Sequence, residues 1–201
     1  MAIFIARHGE TMDNKNRILQ LPSTPLSIAG EEQAELLAQR LKDENITRIV
    51  SSDYLRAQQT AQALSQITHL EVELSPLLRE RNLGGIRGRS YKELGMDPFA
   101  LDYIPPNGES WAEFNERVSE AWGFITQQAA LTDGDLLIVT HGLVCRALLP
   151  HLTLAKEVKS LSQYGNTCLT KVQDSVPWNV EFLNCTNHLE PDETKDSHSP
   201  V

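Results

Sequence analysis

The sequence predicts a single three-layer α/β domain, a mostly parallel sheet with helices on both faces. Three observations lead there. Short apolar runs with β-branched and aromatic members, Ala2–Ala6, Ile46–Val50 and Leu136–Thr140, have strand length and too few residues for a buried helix. Between them apolar residues recur at helical spacing, as in Ala34, Leu37, Ala38 and Leu41. Strands that alternate with helices are joined by crossovers, which produces parallel pairing with helices above and below.

Taken in order, Ala2–Ala6 is a buried strand, and residues 7–26 form a long functional loop. Asn14, Asn16, Pro22, Ser23, Thr24 and Pro25 supply its turns. Ser27 is placed to N-cap the helix that carries the Ala34–Leu41 stripe. Ile46–Val50 is the second strand, and Asp53 is expected to cap a helix running to about Ile67. Leu70–Leu74 alternates apolar and acidic residues, the pattern of a less buried strand. Residues 75–109 are rich in Arg, Gly and Pro with little regular pattern, and so long an irregular stretch reads as an active-site cover.

Ser110-Trp111-Ala112-Glu113 is a capping box opening a helix whose inner face is Trp111, Phe114, Val118, Ala121, Trp122 and Ile125. Leu136–Thr140 is continuous enough to lie inside a parallel sheet. A helix from about Leu143 to Leu149 stops at Pro150, and a shorter one is expected over Lys156–Gln163. Thr167–Val172 and Trp178–Leu183 are the closing strands. The domain is expected to occupy residues 1–189. Residues 190–201, polar and carrying two prolines, are expected to be a disordered tail.

The 201 residues, 40 % hydrophobic and 22 % charged, suit one globular domain. No apolar run approaches the ~20 residues of a membrane span, and the N-terminus lacks the pattern of a signal peptide. The expected location is therefore the cytoplasm. Cys145, Cys168 and Cys185 are odd in number and widely spaced, which fits reduced thiols. A net charge of −9 argues against nucleic acid or an anionic membrane as partner. Any anionic substrate would need a few arginines aimed into one cleft.

Arg7-His8-Gly9-Glu10-Thr11 closes the first strand, and Val139-Thr140-His141-Gly142 closes a late one. In open α/β sheets ligands bind beyond the carboxyl ends of strands. Arg7-His8, Ser51-Ser52-Asp53 and His141-Gly142 all follow strands directly, so three segments deliver polar residues to one rim. Phosphoryl transfer through a histidine needs that kind of rim. An imidazole attacks phosphorus while cations and neutral donors hold its oxygens, and glycine lets the backbone come close. Against this, a single strand-end histidine is more often a turn or core residue. Zinc would want three or four ligands away from fixed positive charge, whereas Arg7 abuts His8 and no Cys-x-x-Cys accompanies it.

These pieces join others in a recognisable series: Asn14; Pro25-Leu26-Ser27 with Gly30; Ser51-Ser52-Asp53-Tyr54-Leu55-Arg56-Ala57-Gln58-Gln59-Thr60-Ala61; Leu78-Arg79-Glu80-Arg81 with Gly85 and Gly88; and Gly108-Glu109-Ser110. In this order they resemble the histidine phosphatase superfamily, in the branch of cofactor-dependent phosphoglycerate mutases and their phosphatase relatives. The resemblance implies a phosphoglycerate mutase-like fold and a phosphohistidine at His8. It implies phosphate binding by Arg7, Asn14, Arg56, His141 and Gly142, with Thr24 as a secondary contact. Glu80 would act as acid and then base, with Glu10 and Glu109 as rivals. His8, Glu80 and His141 form the expected catalytic set, with no metal and no cofactor.

Two departures shape the expected activity. The chain has little room for the basic insertion that covers the site in dedicated mutases, and Leu83-Gly84-Gly85 replaces the usual aromatic-Gly. The leading expectation is therefore a phosphomonoesterase acting on a small phosphorylated metabolite, such as α-ribazole-phosphate or a sugar phosphate. A mutase-type phosphotransferase is the alternative, with the basic run Arg79, Arg81, Arg87, Arg89 and Lys92 holding a second anion. A noncatalytic phospho-binding module is the third reading. Oligomeric state is left open, a homodimer being one option.

Overall fold

Six strands form one sheet among the described residues: β1 (Ala2–Arg7), β2 (Ile46–Ser52), β3 (Val72–Ser75), β4 (Asp135–Thr140), β5 (Leu169–Gln173) and β6 (Val180–Cys185). The computed structural model describes residues 1–154, 163–173 and 175–190. Strand order is β3-β2-β4-β1-β5-β6. Pairing is parallel from β3 through β1, while β5 runs antiparallel to β1 and β6 antiparallel to β5. The mostly parallel α/β architecture expected from the sequence is what the chain adopts.

Alternation along the strands divides the core in two. Ile3, Ile5, Leu136 and Ile138 face α5 (Trp111–Ala130), meeting Phe114, Val118, Trp122 and Ile125. Ala2, Phe4, Ala6, Leu137 and Val139 face the other way, onto Leu37, Ala38 and Leu41 of α2 (Ile28–Leu41) and Ala57, Ala61 and Leu64 of α3 (Leu55–Thr68). Both faces of β1 and β4 are thus buried, which is why these strands read as unbroken apolar runs.

Caps set where the helices begin. The Ser27 hydroxyl accepts from Gly30 N at 3.1 Å, and Ser110 with Glu113 forms the expected capping box at α5. The expectation for Asp53 is corrected. Tyr54 is the N-cap of α3 and makes no side-chain capping bond, because the Asp53 carboxylate is taken by the Arg79 fork. The two stretches expected to be irregular each contain a helical turn, α1 (Met12–Lys15) and α4 (Tyr91–Leu94). They are tied together where Ile18 bridges Ser90, over a small cluster of Leu19, Leu83 and Ile86 with Leu94, Phe99 and Tyr103. After β4, α6 (Gly142–Ala147) ends before a 3-10 turn that includes Pro150. The helix expected over 156–163 falls almost entirely outside the described residues, as does the tail beyond residue 190.

The loop after β1 is pressed against the start of α2. A Cβ on Gly30 would lie 2.0 Å from Glu10 O, and one on Gly9 would lie 2.5 Å from Gly30 O. Both glycines let two backbones meet without side chains, and the contact holds the segment just after His8. Gly30→Ala should lower stability by about 1–3 kcal/mol through overpacking against rigid backbone, read as a lower urea midpoint with an unchanged slope. A midpoint equal to wild type would show that the loop moves freely.

Candidate active site

Sheet register assembles the site. Arg7 pairs with Thr140, so the next residues, His8 and His141, leave adjacent parallel strands side by side. Their rings are 5.2 Å apart at 60°. Ser51 pairs with Val139 on the other side of β4, which brings Ser52 to His141, with Oγ 2.8 Å from Nε2. Arg56 projects from the first turn of α3 and donates from Nε to His8 Nε2 at 3.2 Å and from Nη1 to Leu21 O at 3.0 Å. Arg7, His8 and Arg56 open onto a cavity of about 200 Å³, and His141 and Ser52 are fully buried beside them.

Hydrogen bonding selects one tautomer of His8. Nδ1 lies 2.7 Å from Gly9 O, which can only accept, so Nδ1 carries the proton. Nε2 is then a bare lone pair, as the Arg56 N–H aimed at it requires. Burial holds the His8 pKa well below its ordinary value, and the Arg56 and Arg7 charges add to this, against the Gly9 bond. His141 is likewise held neutral, by burial first and then by Arg56. Its Nδ1 is buried without a hydrogen-bond partner among the described residues, as is Arg7 Nε. Burial also brings Arg56 down to about 10. Buried, fixed donors that converge on one point are the arrangement that an anion satisfies.

Glu80 faces the same cavity from the loop after β3. Its Oε1 accepts from Arg81 N at 3.0 Å and its Oε2 from Leu143 N at 3.2 Å. Burial raises its pKa, outweighing those two bonds and the attraction of Arg56 and Arg7. The rivals stand elsewhere. Glu109 is clamped by Arg117 at 2.7 and 2.9 Å, and Glu10 accepts from Ser27 at 2.9 Å. Burial alone would raise Glu109, but Arg117 and the Asn82 N–H bring it below the ordinary carboxylate value.

Asn14 lies on the cavity with its Oδ1 buried and unpartnered among the described residues, held by α1, whose Thr11 cap accepts from Asn14 N. Gly142 is also on the wall, where a Cβ would lie 3.4 Å from Arg7 Nε. Thr24 is the exception among the expected residues. Its hydroxyl donates to Asp13 at 2.7 Å and accepts from Leu21 N at 3.0 Å, which commits it to the loop's own structure. The basic run does not act as a unit. Arg79 points outward to Asp53, Arg87 bonds the Tyr54 hydroxyl at 2.6 Å, and Arg81 is buried flat against Trp111 at 4.2 Å. Arg81 and Arg87 reach the cavity.

Sequence reasoning missed Tyr54 and Arg146 as cavity residues. Arg146 had a readable signal, since it follows Gly142 by four residues on α6 and shares its face. Tyr54 had none, because nothing in the sequence shows its ring meeting His141 edge to face at 5.3 Å. Among the described residues no three His, Cys, Asp or Glu side chains are grouped to hold a metal ion, and no helix is long and apolar enough to cross a membrane.

Comparison with known proteins agrees with this geometry. Residues 3–186 match the profile of the histidine phosphatase superfamily (branch 1). A protein of Yersinia enterocolitica named "Probable phosphoglycerate mutase GpmB" is 33 % identical, over 94 % of this chain and 95 % of its own length. A mycobacterial glucosyl-3-phosphoglycerate phosphatase solved with VO3 superposes with a TM-score of 0.76 and 26 % identity, covering 91 % of this chain and 98 % of that one. The α-ribazole phosphatase of Shigella flexneri gives 0.78 and 25 %, covering 92 % and 97 %.

The buried histidines make stability depend on pH. His188, bonded to Arg40 through Nδ1 and to Thr167 through Nε2, is brought by burial to about 4 from an ordinary 6.5. The unfolded chain therefore takes up this proton first. Its contribution to stability is complete above pH 6.5 and is lost as pH falls toward about 4. In urea titrations across that window the advantage of wild type over His188→Gln should shrink steadily with acidification. A constant gap would mean that His188 titrates normally.

Proposed function

The chain belongs to the histidine phosphatase superfamily, branch 1, and on that premise we propose that it is a metal-independent phosphomonoesterase acting on a small phosphorylated metabolite through phosphohistidine at His8. One observation carries the reading: His8 Nε2 is a neutral, oriented lone pair beside a buried arginine. An imidazole in this state attacks phosphorus without first losing a proton. As a phosphoryl group enters, Arg56 turns its N–H from His8 to a phosphate oxygen, while Arg7, Asn14 and the His141 Nδ1–H hold the others. In this reading the Ser52 hydroxyl, 2.8 Å from His141 Nε2, donates its hydrogen there and leaves the ring proton on Nδ1.

Glu80 completes the cycle. An alkoxide is too basic to leave unprotonated, and a carboxyl raised by its surroundings keeps a proton to give. The phosphate's negative charge raises it further. Having lost the proton, the carboxylate accepts one from the water that attacks phosphohistidine.

The remaining wall bears on the substrate. Leu19, Leu83, Phe99 and Leu143 offer apolar surface, with Arg81, Arg87 and Arg146 among them. A cavity of about 200 Å³ with this lining suits the organic part of a small phosphate monoester, a sugar phosphate or α-ribazole-phosphate. The relatives named as phosphatases support hydrolysis. Identity of 33 % to the relative named as a mutase favours a second reading, intermolecular phosphoryl transfer. Dependence on a bisphosphorylated primer separates the two, and release of phosphate from a panel of phosphometabolites identifies the substrate.

Three outcomes are expected. Rapid quench with substrate should trap an acid-labile, base-stable phosphoryl group on His8, and Arg56→Ala should slow turnover by about 10²–10³ as a preorganised charge is lost. Label elsewhere, or Arg56→Ala within a few-fold of wild type, would overturn these roles. Glu80→Gln should abolish most hydrolysis of alkyl phosphates yet largely preserve the single-turnover burst from p-nitrophenyl phosphate, whose leaving group needs little protonation. Equal damage to both bursts would move the acid role to another residue.

A further inference from the structure

Glu80 has a second face. Behind it lies another cleft, of about 410 Å³, and Tyr54, Glu80 and Arg87 line both this cleft and the front cavity. The hydrogen bond from Arg87 Nη2 to the Tyr54 hydroxyl, at 2.6 Å, stands in the partition. The two chambers differ in size, about 200 Å³ in front and about 410 Å³ behind, and in what lines them. The front offers Leu19, Leu83, Phe99 and Leu143 beside the phosphate-binding groups. The rear is lined by Asp53, Arg79, Asn82, Glu109 and Arg117, and its outer wall includes the exposed Pro22 and Pro76.

We propose that the rear cleft is a water reservoir for Glu80, supplying the hydrolytic water and returning protons to solvent while the organic group fills the front cavity. This rests on the phosphatase reading above. A roomy cleft bordered by exposed residues stays open to water, whereas a cavity filled by a substrate's organic group excludes it. Each carboxylate oxygen of Glu80 spends one lone pair on a backbone N–H, which leaves another free for water.

After the alcohol has taken the Glu80 proton, a water molecule at the carboxylate attacks phosphorus through its oxygen. The P–Nε2 bond breaks and its electrons return to His8, the water's proton passes to Glu80, and phosphate departs. Water held behind Glu80 is at hand as soon as the alcohol oxygen moves off the in-line position opposite Nε2. The phosphohistidine then meets water before any second alcohol, and hydrolysis outruns transfer.

Pro22→Trp and Pro76→Trp would fill the rear cleft from exposed positions, outside the groups that bind phosphate. Each is tested by quench-flow with p-nitrophenyl phosphate, with and without glycerol as a competing acceptor. The nitrophenolate burst should match wild type, which also shows an intact fold. Decay of phosphohistidine by water should slow severalfold, and the share of phosphoryl passed to glycerol should rise. Variants with a normal burst, wild-type decay and an unchanged glycerol share would overturn the proposal. Failure of the phosphatase reading would look different: wild type itself would give no burst and no label on His8.

Discussion

Arg56 is a buried cation bonded to a neutral imidazole and a backbone carbonyl, with no carboxylate bound to it among the described residues. Burying a charge without a close counter-ion is unfavourable, and folding energy elsewhere must offset it. The rest of the site follows from that constraint. Burial holds His8 and His141 unprotonated, and a guanidinium so placed, with Arg7 nearby, reinforces this because a second positive charge there would be repelled. It also pulls down the Glu80 pKa, so that carboxyl must be desolvated strongly enough to resist. A dianion entering the cavity relieves the arginines and reinforces the protonation of Glu80 at once. Under the proposed function, a bound dianion would offset the buried positive charge at the point where it is concentrated.

Rigid backbone maintains this arrangement. β1 and β4 are buried on both faces, and the parallel register between them leaves His8 and His141 little freedom to separate. The His8 amide donates to Thr140 O at 3.0 Å, continuing the ladder one residue past the strand. Gly9 against Gly30 holds the following turn from below. Positions fixed by strand ends vary less than positions on loops, which suits groups that must meet one phosphorus atom.

The parts of the site on strand exits were legible in the sequence, because a short apolar run, its end and the polar residues after it lie next to one another in the chain. Arg7, His8, Arg56 and His141 belong to that kind. Glu80 was legible only within a series of motifs, since its environment depends on Arg81 and Leu143 amides that no local pattern brings together. Asp53 and Thr24 went the other way. Each has a residue type that caps or binds, and each is claimed by a partner distant enough in sequence to be invisible there, Arg79 and Asp13. The run from Arg79 to Lys92 looks uniform as text. Its arginines part because backbone turns at 76–78 and 84–86 send them to an ion pair, an aromatic face and a tyrosine hydroxyl.

The direction of β5 lets chemistry and ligand choice vary independently. The other strands that build the rim leave the sheet there, but β5 is antiparallel to β1, so the chain arrives at the rim before entering the strand. At that arrival Tyr164 O accepts from Arg7 Nη1, Thr167 N donates to His8 O at 3.3 Å, and Gln163 forms part of the cavity wall. Among the described residues, the connection from α6 to β5 meets Arg7 and His8 at its far end, through Tyr164 and Thr167. A different side chain at position 163 would reshape the cavity wall without touching the β1–β4 register. The fold thus keeps the surface that meets a ligand on a different piece of chain from the strand ends that hold His8 and His141.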